Sequence, residues 1–208
     1  MFHDRFDAGR QLAQELGEYR AEHPVVLGLP RGGVAVGKPI ATHLQCPLDI
    51  IVVRKLGAPG QPELGIGAIA EHGVRVVNDD LMRYLRVSEA QLSAVEARER
   101  AELQRRVDRY RRQRPEVALE GRVAIVVDDG LATGFTARAA VLAARRRHAD
   151  RVILAVPVGA RDTIEALAAL ADGVETVSAP RDLRAVGFWY RDFTQTTDEE
   201  VLRLLEDG

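Results

Sequence analysis

Asp128 and Asp129 stand together between an apolar run, Val123-Ala-Ile-Val-Val127, and a string of small, apolar or hydroxyl-bearing residues, Gly130-Leu-Ala-Thr-Gly-Phe-Thr136. Ionised carboxylates accept hydrogen bonds and donate none, so their natural partners are hydroxyls, cationic groups or a metal. Thr133, Gly134 and Thr136 offer the opposite chemistry. They put backbone N–H groups and two hydroxyls at the start of a helix, where unpaired donors and the helix dipole favour a phosphate. The acidic pair would repel that phosphate unless it faced another part of the ligand. A molecule with a phosphate at one end and a vicinal diol a few ångströms away, a ribose 5-phosphate, meets both demands.

The elements that must hold these groups can be read from the same stretch. Residues 123–127 are five consecutive apolar residues, four of them β-branched, which predicts a strand covered on both faces. Phe135 onward, with Ala137, Ala139, Ala140, Val141 and Leu142, predicts a helix. The acidic loop then lies at the carboxyl end of a parallel strand, where open α/β sheets bind ligands. Elsewhere strand and helix signals alternate. Asp7 is expected to cap a helix that carries Leu12, Leu16 and Tyr19 on one face, followed by a strand over Val25–Leu29, a helix over Val34–Leu44 and a strand over Leu48–Val53. Ile66–Ala70 and Val74–Val77 read as a hairpin around Glu71-His-Gly73. Ser88-Glu-Ala-Gln91 has the form of a capping box and opens a long charged helix that Pro115 ends. Arg151–Val156 and Val174–Val177 read as strands around a helix over Asp162–Ala171. This order predicts an α/β fold with an open, mainly parallel twisted sheet flanked by helices.

The string Val126-Val-Asp-Asp-Gly-Leu-Ala-Thr-Gly-Phe-Thr136 resembles the phosphoribosyl pyrophosphate (PRPP) binding motif of type I phosphoribosyltransferases. The resemblance implies a single domain over residues 1–208, with a small hood in about residues 178–208. It also implies displacement at ribose C1, in which pyrophosphate leaves and a nitrogen nucleophile enters from the opposite face. Asp128 and Asp129 would hold the ribose, and Ala132, Thr133, Gly134, Phe135 and Thr136 the 5-phosphate. Mg2+ is the expected cofactor, bound mainly through PRPP oxygens and water rather than a protein cage. Family members that act on 6-oxopurines usually carry an acidic residue where this chain has Ala132, so hypoxanthine or guanine is disfavoured and the acceptor base stays open.

Two further loops fit this scheme. In Leu29-Pro-Arg-Gly-Gly33 the glycines let the backbone approach an anion and Arg31 supplies a planar guanidinium, although a Gly-Gly turn between strand and helix is also common. The position resembles the family's pyrophosphate loop, which assigns Arg31, Gly32 and Gly33 to pyrophosphate. The segment from Arg54 to Glu63, rich in Gly and Pro, resembles the flexible catalytic loop, with Arg54 and Lys55 meeting the leaving pyrophosphate. The alternative is an ordinary surface hairpin. Glu63 and Glu71 could serve the base or the metal, but rank behind these groups. In the tail, Phe188, Trp189 and Tyr190 are candidates for stacking on a base, the alternative being that its aromatics pack the hood against the core.

Composition sets the outer limits. The chain has 208 residues, 46% of them hydrophobic, enough to bury a full core. One cysteine, Cys46, excludes a disulfide framework and fits a reducing cytoplasm. No apolar run approaches membrane-spanning length, and the N-terminus has no secretory apolar region, so a cytoplasmic protein with no membrane partner is expected. A net charge of −2 gives no global field for nucleic acid. The five histidines show no clustered metal-ligand spacing. Residues 100–114 hold seven arginines, but the i,i+4 pairs Glu96/Arg100, Glu102/Arg106 and Asp108/Arg112 predict an ion-paired helix with one packed face. That helix could also serve a contact between copies of the chain. The partners implied are PRPP and a nucleobase-like small molecule, with nucleic acid not expected. The competing functions are a PRPP sensor without turnover and an RNA-binding regulator on the same fold.

Overall fold

The computed structural model describes residues 1–112 and 114–206. In chain order the elements are α1 (Arg5–Glu15), β1 (Val25–Gly28), α2 (Gly32–Leu44), β2 (Leu48–Ile50), β3 (Val53–Ala58), β4 (Gln61–Ala70) and β5 (Val74–Val77). They continue with α3 (Asp79–Leu85), α4 (Glu89–Arg111), β6 (Val123–Val127), α5 (Phe135–Arg146), β7 (Arg151–Val158), α6 (Arg161–Ala168), β8 (Gly173–Ser178) and α7 (Asp198–Glu206).

A five-stranded sheet in the order β2-β1-β6-β7-β8 is parallel throughout. Its central strand shows why the apolar run at 123–127 was needed. Val123, Ile125 and Val127 enter one core with Leu12, Leu16, Val26 and Ile40, whereas Ala124 and Val126 enter a second core against the alanine-rich face of α5. Alternation along a strand sends successive side chains to opposite faces, so a strand with helices on both faces must be apolar at every position.

Several local expectations are corrected. Asp4, not Asp7, caps α1, accepting the Asp7 N–H at 2.7 Å, while the Asp7 carboxylate accepts the His3 N–H. The strand expected over Leu48–Val53 ends at Ile50, and Val53 opens β3 in a separate antiparallel sheet, β3-β4-β5. The capping box forms at Ser88 and Gln91. On α4 the pairs Glu96/Arg100 and Glu102/Arg106 form, but Asp108 accepts from Gln104 rather than Arg112. Among the described residues, no helix is long and apolar enough to cross a membrane.

The last part of the chain divides in two. Residues 186–193 lie against the N-terminus, where the Phe2 N–H donates to Trp189 O at 2.7 Å. α7 packs on α2 and presents Val201 and Leu205 to the core that holds Tyr110 of α4.

Candidate functional site

The acidic loop leaves the end of β6 and is sewn to β7: the Leu131 N–H donates to Val158 O at 2.9 Å and the Ala160 N–H to Leu131 O at 3.0 Å. Gly134 takes a left-handed conformation, φ 79°, at the N-cap of α5, and no side chain caps that helix. The first N–H groups of α5 therefore have neither an intrahelical acceptor nor a capping side chain, which leaves a donor cluster for an anion. Thr133, Gly134 and Phe135 line a pocket of about 280 Å³ with Arg138 and Thr163. Thr163 Oγ1 donates to Ala132 O at 2.8 Å, fixing the loop from α6. Arg138, absent from the sequence-based assignments, brings a cation one turn along α5. An arginine following Thr-Gly-x-Thr by two residues was the available signal.

The loop at 29–33 comes to the acidic pair from the end of β1, and its Leu29 N–H donates to Val127 O at 2.8 Å. The Pro30–Arg31 peptide is cis. Both glycines are required by proximity. A Cβ on Gly33 would collide with Val127 O and lie 3.1 Å from Asp128 Cα, and one on Gly32 would collide with the Asp129 carboxylate. The two loops that the sequence placed at separate strand ends are thus in van der Waals contact. One assignment changes in kind: the Gly33 N–H donates to Leu29 O at 2.9 Å, so this residue serves close approach and not anion donation. Arg31 Nη1 lies 3.9 Å from Asp198 Oδ1 of α7.

Asp128 Oδ1 accepts the Asp129 N–H at 2.9 Å. Burial pushes the Asp128 carboxyl well above the ordinary carboxylate range, and the neighbouring Asp129 charge adds to the rise. Burial also raises Asp129, but there the Arg5 guanidinium opposes it by charge and hydrogen bond. Arg5 Nε donates to Asp129 Oδ2 at 2.8 Å. Sequence reasoning missed this residue; a cation in the first turn of a helix, against the dipole, was the signal available.

The tail aromatics separate by environment. Tyr190, expected as a stacking candidate, is buried and donates its hydroxyl to Asp129 O at 2.6 Å, with its ring 5.4 Å from that of Phe2 and 4.9 Å from that of Phe193. It fastens the tail to the acidic loop and offers no open face. Phe188 is 71% exposed and, with Trp189, Asp182 and Arg184, lines a pocket of about 230 Å³.

The segment from 54 to 63 is a strand pair and not an irregular loop, turning at Pro59 and Gly60 between β3 and β4. Arg54 makes two hydrogen bonds to Glu99 Oε2 of α4, at 3.0 and 2.7 Å, and Lys55 Nζ donates to Glu63 O at 2.5 Å. Both expected pyrophosphate cations are held by neighbours here. Glu71 is also committed: it accepts the Val52 N–H at 2.6 Å and lies 3.3 Å from Arg111 Nε. Glu71, His72 and Glu116 gather their ligand atoms closely enough for a metal, but Arg111 and Arg147 lie against Glu116 at 3.5 Å and supply the positive charge.

The chain is 53% identical over 206 residues to a Mycobacterium tuberculosis protein that bears the name "Putative phosphoribosyl transferase", covering 99% of this chain and 46% of that protein. It therefore spans about half the length of that relative. The crystal structure of TT1426 from Thermus thermophilus superposes with a TM-score of 0.83 at 43% identity, covering 100% of this chain and 98% of that one. A hypothetical protein from Neisseria gonorrhoeae, solved with bound ppGpp, shares the fold at a TM-score of 0.51 and 14% identity, covering 100% of this chain and 96% of that one. The family model described as phosphoribosyl transferase domain matches residues 2–190, and the chain belongs to that family.

Proposed function

We propose that this chain transfers the 5-phosphoribosyl group of PRPP to a nitrogen nucleophile, releasing pyrophosphate with Mg2+ as cofactor. The observation that supports this most is the contact between Gly32 and Gly33 of one loop and the Asp128–Asp129 pair of the other, beside the uncapped start of α5. A 5-phosphate on the N–H groups of α5 sets the ribose hydroxyls over the acidic pair and turns C1, with its pyrophosphate, toward the loop at 29–33. Positive charge that develops on the ribose ring as the C1–O bond breaks is stabilised by the fixed carboxylates, whose burial strengthens the interaction. The leaving group meets the Arg31 side chain and the close backbone of the glycine loop. The hard oxygens of Asp128 and Asp129 suit Mg2+, which would be held chiefly by PRPP and water and would neutralise pyrophosphate charge. Phe188, with Trp189 beside it, is the open aromatic surface for an acceptor base, and Ala132 supplies no carboxylate to assist one.

The RNA-binding alternative, which would use Arg105, Arg106, Arg109 and Arg112, has less support, because the first three are engaged. Arg105 and Arg106 bind Glu102, and Arg109 binds Asp198 and Glu199.

The test is Mg2+-dependent pyrophosphate release from PRPP across a panel of purine, pyrimidine and other nitrogen acceptors. We expect release with at least one acceptor, lowered by about 10²-fold or more in a variant carrying Asp128→Asn and Asp129→Asn. PRPP binding without release on every acceptor would replace this function with a sensor; absence of binding would overturn both.

A further inference from the structure

The cations assigned from sequence to this site are largely held elsewhere: Arg54 on Glu99, Lys55 on Glu63 O, and Arg31 near Asp198. The guanidinium found where the acidic loop, the glycine loop and the tail meet is that of Arg5. Its side chain is 11% exposed. Nε donates to Asp129 Oδ2 at 2.8 Å, Nη1 donates to Thr194 O at 2.7 Å, and the group stacks 4.0 Å above the Phe193 ring. A Cβ placed on Gly32 would lie 2.8 Å from Arg5 Nε, so the guanidinium also borders the glycine loop.

Helix stability does not explain this placement. Arg5 is the first residue of α1, where a positive charge opposes the helix dipole, and Asp4 already caps the helix. A buried guanidinium is tolerated where its hydrogen bonds are met with good geometry, and here Nε is met by Asp129 and Nη1 by Thr194 O. The planar fork reaches a carboxylate and a carbonyl at once, which a lysine ammonium at the end of a flexible stem does not reproduce.

We propose that Arg5 is a positioning residue of the ribose site: it fixes the Asp129 carboxylate against the glycine loop and ties residues 193–194 to it, so that PRPP meets an acidic pair already set in place. Among the described residues no cation forms an ion pair with Asp128, which feels Arg5 only through its charge, and its Oδ2 is left for the ribose hydroxyls. This inference rests on the reading of the site as a PRPP site.

The test is a double-mutant cycle read by calorimetric titration of PRPP with Mg2+, using Arg5→Met, Asp129→Asn and their combination, with thermal melting of each variant. Arg5→Met keeps an apolar stem beside Phe193 and removes the fork. We expect PRPP affinity to fall about tenfold in Arg5→Met and no further loss when Arg5→Met is added to Asp129→Asn, because the arginine acts through that carboxylate. Arg5→Lys should recover only part of the affinity. Wild-type affinity in Arg5→Met, or losses that add in the double variant, would overturn the proposal. A purely structural role would lower the melting temperature and leave the cycle additive. Should Arg5→Met not fold, the same cycle with Arg5→Lys decides the matter. Wild-type protein that binds no PRPP overturns the proposed function and this inference with it, whereas wild-type binding with an unaffected Arg5 variant overturns the inference alone.

Discussion

Val186 rests on Gly130: a Cβ at residue 130 would collide with both Val186 methyl groups. The glycine that follows the acidic pair is therefore the seat on which the tail segment sits. The Tyr190 hydroxyl adds a second tie, to Asp129 O from 61 positions along the chain. The geometry of the acidic loop thus depends on a segment remote from it in sequence.

This contact predicts a suppressible defect. Gly130→Ala should destabilise the protein by about 1–3 kcal/mol through overpacking. Val186→Ala in the same chain should return most of that loss, since it removes the colliding methyls. Urea unfolding of the two single variants and the double variant measures the coupling.

The two glycines at 32 and 33 should respond differently to the same substitution. A Cβ on Gly33 meets the backbone of residues 127 and 128, which cannot turn aside, so Gly33→Ala should cost about 3 kcal/mol or prevent folding. A Cβ on Gly32 meets the ends of the Asp129 and Arg5 side chains, which can move. Gly32→Ala should therefore keep its fold, as seen by circular dichroism, and lose PRPP affinity.

The raised Asp128 carboxyl gives a pH signature. Its proton is bound more tightly in the folded chain than in the unfolded one, where the ordinary value is 3.8. The stability linked to this group is thus complete below 3.8 and is lost as pH rises through the higher folded value. Asp128→Asn, which removes the charge, should melt a few degrees above wild type at pH 7, on the order of 2–4 °C, and lose that advantage as pH falls through the folded value toward about 4, where none remains. An Asn variant that is less stable at pH 7 would mean that the carboxylate is not held at such a cost.

Much of this architecture is legible in local sequence. The apolar run at 123–127 announces a strand buried on both faces, and Ser88 with Gln91 announces the start of α4, because side-chain alternation and helix capping act over a few residues. The acidic pair and the Thr-Gly-Phe-Thr start of α5 are legible for the same reason. Finer local choices are less so: Asp4 and Asp7 are both competent caps, and only the path of the chain through His3 gives the cap to Asp4. The Gly/Pro-rich composition at 54–63 suggests mobility, yet cross-strand pairing with β4 and the Glu99 carboxylate make it a hairpin.

By itself the sequence determined the chemistry at two strand ends: two carboxylates and an open helix start at one, and a glycine loop that suits an anion at the other. Tertiary structure alone decided which groups meet them. Arg5 reaches Asp129 across 124 positions, Tyr190 reaches the same residue across 61, and Arg54 is drawn instead to Glu99 across 45. Such pairings depend on how the sheet, the helices and the tail close on one another. A local pattern can state what a side chain is able to bind, and only the closed chain determines which groups come within hydrogen-bonding reach of it.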